Sequence, residues 1–286
     1  MSFECKADKF EVIDSKKFTE KGISFPKIHT DLDQMVSYSL LVKESRGDCF
    51  ASVPFCVTVE ADSLGADINL GDENIGPRSR GYFIDDANGI YKIGKHDFSE
   101  GRIGTVLDAV EKLSGMGETV ALNVEGPITI AMQIMDSAAF YKALRKDENA
   151  CSYFIETMSS NIFEYIKEGV KRGAKIISFA DPSGDINIVG PKLYRSICEP
   201  VIGNVLGRIK REIRGVVVHI CGKTSTALES RGTANIEKVE YEKEKSYGMA
   251  ICDIYKEDEA VFIGHRCIKT GNRIYENPMM FVLGIE

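Results

Sequence analysis

The chain has 286 residues, 43% apolar and 28% charged, with a formal net charge of -7. That balance belongs to a globular protein whose core needs no disulfide or metal staple. The negative charge, with no long Lys/Arg block against it, argues against a nucleic-acid partner.

The opening segment MSFECKADKFEVIDSKK mixes both charges around no apolar run, so no secretory signal is expected. No stretch approaches the ~18 apolar residues that cross a bilayer. With eight cysteines and no export signal, the expected location is the reducing cytoplasm, with no membrane partner. Cys5, Cys49, Cys56, Cys151 and Cys198 each stand alone among apolar residues and read as small buried hydrophobes.

In chain order, ASVPFCVTVEADSLGADINLG (51–71) predicts a strand and a short helix. GDENIGPRSRGYFIDDANG (71–89) predicts a long ordered loop, of the kind that often serves function. TVALNV (119–124) is a short apolar strand, followed by the loop GPITIAMQIM and a helix starting near Asp136. Ile155, Met158, Ile162, Ile166 and Val170 recur at helical spacing over 151–172, and Gly173 is the expected stop. KIISFA (175–180) is a strand leading into the turn-rich DPSGDINIVG and a helix opened by Pro191. GVVVHIC (215–221) is a third strand, with Thr224 or Ser225 expected to cap the helix after it. GMAICDI (248–254) and AVFIGHRC (260–267) read as two more strands.

Strands this apolar, with little alternation, are covered on both faces, as in a parallel sheet wrapped by helices. Repeated strand–loop–helix order leaves an α/β barrel or an open doubly wound sheet. No G-x-G-x-x-G marks a dinucleotide site, so the expectation is a (β/α)₈ TIM-type barrel. It is read as one domain over 1–286, with an N-terminal extension and mouth loop in 1–100 and the barrel body in 101–286.

Polar residues interrupt the apolar runs at the C-terminal ends of strands: Asn123 and Glu125, then Asp181, then His219 and Cys221, then Cys267. In a barrel those ends share one mouth, where active sites lie. His219 and Cys221 are two apart on a strand and face the same way. Imidazole plus thiolate is a zinc-type donor pair, and Cys267 is the best third ligand. Cys252 is another candidate for that place. His265 with Cys267 makes a second H-x-C, so a closed four-ligand structural site stays open beside a three-ligand catalytic one.

His219-Ile220-Cys221-Gly222 after a VVV strand, with the late Cys267, resembles the zinc motif of corrinoid-dependent methyltransferases within the uroporphyrinogen decarboxylase superfamily. PFCVTVEADSLGADINLG (54–71), EGPITIA (125–131) and ADPSGDINIVGPKLYRSICEPVI (180–202) are similar to further segments of those enzymes. The resemblance implies a (β/α)₈ barrel, Zn²⁺ on His219, Cys221 and Cys267, and Glu60, Glu125 and Asp181 lining the cavity as acid, hydrogen-bond or orienting groups. It implies methyl transfer between a corrinoid protein and a thiol or other small methyl donor or acceptor. No Asp-x-His-x-x-Gly corrinoid motif is present, so the cobalamin would arrive on that partner.

Two departures qualify the likeness. Arg78 and Arg80 do not form the Arg-rich loop that grips porphyrinogen propionates in the decarboxylases. The chain is also short between Cys221 and Cys267 and after Cys267, which predicts a shortened C-terminal strand–helix unit. The competing readings are a decarboxylase-like, metal-free lyase, a non-catalytic member of the superfamily, and an unrelated zinc-stabilised fold.

Overall fold

A computed structural model describes Phe18, residues 20–84 and residues 86–285. Nine strands occur in it: β1 Ala51–Val53, β2 Ile68–Asn69, β3 Arg78–Ser79, β4 Val120–Glu125, β5 Ala174–Ala180, β6 Val216–Ile220, β7 Ala234–Glu240, β8 Ala260–Gly264 and β9 Met279–Ile285. Seven form one sheet in the order β1-β4-β5-β6-β8-β9-β7, while β2 and β3 make a separate antiparallel ribbon. From β1 through β8 the neighbours run parallel. β9 is antiparallel to both β8 and β7.

The α/β reading therefore stands, and the C-terminal end is shortened in a specific way. Seven strands take the place of eight, the last two pair antiparallel, and no pairing joins β1 to β7 among the described residues. The first strand comes from the first hundred residues.

Strand alternation sorts the side chains into two layers. Val120, Leu122 and Val124 of β4, Ile177 and Phe179 of β5, and Val216, Val218 and Ile220 of β6 face outward. They share a core with the helices Gly101–Gly115, Glu148–Lys171 and Glu199–Glu212. On the other face, Ala121, Ile176, Val217, Val261 and Ile263 pack with Phe50, Met280 and the helix Tyr247–Asp253.

Local chemistry sets the element ends. Asp136 accepts the N–H of Ala139 and starts the helix Ser137–Lys146, as expected. Asp147 caps Glu148–Lys171 in the same way, and Gly173 follows it with φ 103. The helix opened by Pro191 carries a π-turn at Tyr194–Cys198 before continuing to Glu212.

Five expectations are corrected. GPITIAMQIM, read as a loop, contains the helix Pro127–Ile134, with the proline in its first turn. Residues 248–254 are not a strand: Ser246 caps a helix by accepting the N–H of Met249, and Tyr247, Ala250 and Ile251 are buried at helical spacing. Thr224 and Ser225 lie inside the helix Gly222–Ser230, where Ser225 Oγ donates back to the Cys221 carbonyl at 3.1 Å. β8 stops at Gly264, where His265 turns to φ 60 and donates its N–H to Ser225 Oγ at 2.8 Å instead of to a neighbouring strand. β7 and β9 were not foreseen at all. β7 carries charged, exposed residues from Glu237 to Glu240 at a sheet edge, so it shows no apolar signal.

A helix and a strand over 247–253 make opposite demands on two neighbours. Ile251→Ala, at a fully buried position, is expected to cost about 2–4 kcal/mol in urea unfolding. Met249→Ala, 43% exposed, should stay within about 0.5 kcal/mol. Equal losses at both positions would restore the strand.

Candidate active site at the carboxyl ends of the sheet

The inner face changes character along its length. Its lower layer is apolar, and the next is a polar row in which Asn123, Ser178 and His219 stand in register on β4, β5 and β6. One step further, Glu125 ends β4 opposite Ala180, and Cys221 follows β6. Four of these polar groups were legible in the sequence; Ser178 was missed, though it is the one polar residue inside the apolar run of KIISFA and shares its phase with Ile176.

Two carboxylates meet under this rim. Glu60, 1% exposed on the short helix Val59–Ser63 after β1, accepts the backbone N–H of Glu125 on Oε1 at 2.8 Å. Glu125 is itself 7% exposed, and the Oε2 atoms of both residues are buried without a hydrogen-bond partner. Burial pushes Glu60 up to about 7 against the backbone hydrogen bonds and the Arg102 charge. Burial, then the charges of Glu60 and Asp181, push Glu125 well above the usual carboxylate range, with Lys269 opposing. Two carboxylates so placed resist double ionisation and hold a proton between them near neutrality.

Behind Glu60 lies Arg102, which the sequence reading did not single out. Its buried guanidinium donates to the His29 carbonyl, Thr58 Oγ1 and Cys56 Sγ at 3.2, 3.1 and 3.0 Å and pairs with Asp62 at 3.7 Å. Cys56 is thus a half-buried acceptor and not a buried hydrophobe. Cys49 and Cys151 are also half-buried, Cys198 is fully buried as expected, and Cys5 lies outside the described residues.

Asp181 occupies a tighter place. Its Oδ1 accepts from Thr129 N and Thr129 Oγ1, both at 2.8 Å, and Oδ2 accepts from Ile128 N at 3.3 Å. These donors open the helix Pro127–Ile134, whose N-terminal field also favours an anion. A Cβ on Gly126 would fall 2.3 Å from Asp181 Cβ, and one on Gly184 2.2 Å from Oδ2. Both carboxylate oxygens are taken, so Asp181 orients the loops after β4 and β5.

His219 is 1% exposed, with Nε2 buried and unpartnered, and Tyr247 meets its ring edge-on at 5.9 Å between centroids. Burial lowers its pKa to about 4, leaving a neutral imidazole with a nitrogen lone pair to give. Cys221 is the half-buried residue that turns β6 into the helix Gly222–Ser230. Cys267, also half-buried, opens the 3₁₀ turn Ile268–Thr270 beyond β8, the strand beside β6.

These donors suit zinc in type, and the orphaned His219 Nε2 fits a metal ligand. The ligand cage is not assembled, however: among the described residues no three His, Cys, Asp or Glu gather as a metal-binding group. The competitors are engaged elsewhere. His265 Nε2 lies 2.8 Å from Glu229 Oε2, and its ring stacks on Phe281 at 5.4 Å. Cys252 is within electrostatic reach of Cys49, Lys43 and Lys175, near the starts of β1 and β5 and away from the mouth.

The uroporphyrinogen decarboxylase (URO-D) family model matches residues 12–265, and the chain belongs to that family. The methylcobamide:CoM methyltransferase MtbA of Methanosarcina acetivorans is 24% identical over 247 residues, covering 85% of this chain and 72% of that protein. The methylcobamide:CoM methyltransferase MtaA of Methanosarcina barkeri is 24% identical over 229 residues, covering 78% of this chain and 66% of that protein. A methyltransferase structure from Methanosarcina mazei shares the fold with a TM-score of 0.65 at 23% identity, covering 76% of this chain and 64% of that one. No helix among the described residues is long and apolar enough to cross a membrane.

The raised Glu60 has a sign that stability measurements read. Between pH 4.5 and about 7 the unfolded carboxyl is ionised while the folded one keeps its proton. Stability is thus full below that window and falls as pH rises through it, by about 3 kcal/mol. Glu60→Gln keeps the acceptor for Glu125 N and cannot ionise. Its urea midpoint should gain on wild type from pH 5 to pH 8, and parallel midpoints would refute a raised Glu60.

Proposed function

We propose that this chain transfers a methyl group between a corrinoid protein and a thiol or another small methyl donor or acceptor, using a zinc ion held by His219, Cys221 and Cys267. The observation that carries the reading is His219: a neutral, fully buried imidazole with an unpartnered Nε2, in register with Asn123 and Ser178 and two residues before Cys221. Relatives named methylcobamide:CoM methyltransferases, matching most of the chain, support the reaction class.

Zinc bound there would hold a sulfur ligand as thiolate, the nucleophilic form. Everything else falls to the chain's own residues. Neutral His219 offers its lone pair without first losing a proton. The Glu60–Glu125 pair, short of one proton near neutrality, takes the proton a thiol gives up, on a buried Oε2. Asp181 fixes the loops after β4 and β5 and keeps Glu125 facing Glu60. Asn123 donates to the Pro54 carbonyl at 2.8 Å and ties the loop after β1 to the rim.

A corrinoid protein as partner is supported by the names of the relatives, methylcobamide:CoM methyltransferases.

Metal content tests the reading directly. Protein purified without a His-tag should carry about one zinc per chain, and Cys221→Ser or Cys267→Ser should lose it together with methyl transfer to a thiol. Zinc retained by Cys267→Ser would exclude Cys267 as third ligand. Absence of zinc from wild type, even after incubation with the ion, would overturn the mechanism and favour a metal-free lyase.

A further inference from the structure

The His219 imidazole is fully buried, and its Nε2 has no hydrogen-bond partner to hold it. A ligating imidazole is aimed by what surrounds it, ordinarily a hydrogen bond to its other nitrogen. Packing adds a second constraint here. Tyr247, itself fully buried, meets the His219 ring at 5.9 Å between centroids and 73°, and no other aromatic ring among the described residues touches His219.

Tyr247 opens the helix Tyr247–Asp253, which packs against the inner face of the sheet. The helix is docked on the loop that returns the chain from β8 to β9. Tyr247 N–H donates to the Arg273 carbonyl at 2.8 Å, and Gly248 N–H donates to the Gly271 carbonyl at 2.7 Å. A Cβ on Gly248 would fall 3.0 Å from that same oxygen, so helix and loop meet backbone to backbone.

The return loop also carries Cys267. The Tyr247 ring meets Tyr275 at 6.1 Å and 87°, and the Arg266 guanidinium, next to Cys267 in the chain, lies 5.5 Å from the Tyr247 ring centre. Tyr275 Oη is 2.9 Å from Thr270 Oγ1, which donates to the Cys267 carbonyl at 2.7 Å. Contacts thus run from the His219 ring through Tyr247, Tyr275 and Thr270 to the backbone of Cys267. The Tyr247 hydroxyl is buried without a partner, so the ring is the part of the side chain that makes these contacts.

We infer that Tyr247 is a positioning residue for His219, its ring wedged between the imidazole and the return loop so that it fixes the direction of the imidazole and its spacing from Cys267. A rigid ring in a close-packed interior passes position from one neighbour to the next. What the imidazole binds rests on the zinc-dependent reading above; how the imidazole is held does not.

Carbon-13 NMR of the metal-free full chain, labelled at histidine, follows the His219 ring, whose signal is the one missing from His219→Gln. Tyr247→Phe keeps the ring and should keep one sharp His219 signal. Tyr247→Leu should broaden or split it as the imidazole samples a second orientation. Zinc affinity, measured by competition with a chelator, should match wild type in Tyr247→Phe and fall about 10–100-fold in Tyr247→Leu. Ile251→Ala, equally buried on the same helix, controls for general loosening and should leave signal and affinity unchanged. An unaltered signal or undiminished affinity in Tyr247→Leu would overturn the inference, as would equal changes in Tyr247→Phe or Ile251→Ala. Should Tyr247→Leu fail to fold, Tyr275→Leu, which removes the half-buried ring beside Tyr247, decides in the same terms. A wild type that binds no zinc would cost the methyl-transfer reading, and the His219 signal alone would then decide the role of Tyr247.

Discussion

The seating of the Asp181 carboxylate on Ile128 and Thr129 is the contact on which the rest of the site depends. It joins the loop after β5 to the first turn of the helix after β4, and it explains why Gly126 and Gly184 carry no side chain. With Gly126 pressed against Asp181, the preceding residue has one direction available, and its N–H reaches Glu60 Oε1 at 2.8 Å. Glu60 in turn draws the helix after β1 under the rim. One buried acid thus assembles three strand ends and places two other acids where water is excluded. Burial still pushes its carboxyl above the usual carboxylate range, because desolvation outweighs the hydrogen bonds from Thr129, Ile128 and Gly184.

Much of this could be read from the sequence because parallel strands covered on both faces announce themselves as apolar runs. β4, β5 and β6 were found within a residue or two of their bounds, and the polar residues closing each run marked the mouth. Capping chemistry at Asp136 and the glycine at 173 placed helix ends equally well. GMAICDI failed for a definite reason. Seven mostly apolar residues satisfy strand and helix patterns alike, and the Ser246 cap together with the core shared with Phe50, Met280 and Val217 selects the helix. β7 failed for the opposite reason, since an edge strand with exposed Glu237, Lys238 and Glu240 has no periodic apolar face to detect. Arg102 was invisible because its meaning lies in contacts with the His29 carbonyl and Thr58, many residues away in the chain. Glu60 itself came from family likeness, as nothing local distinguishes it from a solvated helix residue.

The two halves of the rim handle charge differently, and the difference suits the chemistry proposed. On the β1–β4 side, burial raises carboxylates until a proton is shared near neutrality. On the β6–β8 side, burial lowers His219 until it is neutral at any pH where the protein would work. Desolvation is the largest cause on both sides, because it disfavours whichever form is charged, and the charges of Glu60 and Asp181 add to it at Glu125. One sheet thereby carries raised carboxylates at one side and a neutral nitrogen donor at the other, with neither needing a separate structural device. The polar row Asn123, Ser178 and His219 spans the gap between them.

The shortened end of the fold bears on Cys267. In a sheet that continued as strand and helix, this residue would be placed by a following strand in parallel register. Here β8 stops, His265 takes a left-handed conformation, and the chain returns antiparallel as β9. The return loop is held by its own contacts. Arg266 lies 3.7 Å over the Tyr275 ring and donates to the carbonyls of Met279 and Asn277, while Thr270 Oγ1 sits 2.9 Å from Tyr275 Oη and donates to the Cys267 carbonyl. The backbone of Cys267 is thus ordered by packing that owes nothing to a metal. A ligand placed this way does not draw on folding energy, in contrast to a zinc-stabilised fold that forms only around its ion. Metal binding at this rim would then be a local adjustment of side chains on a finished scaffold, which is the condition for a metal that must keep one position open to substrate.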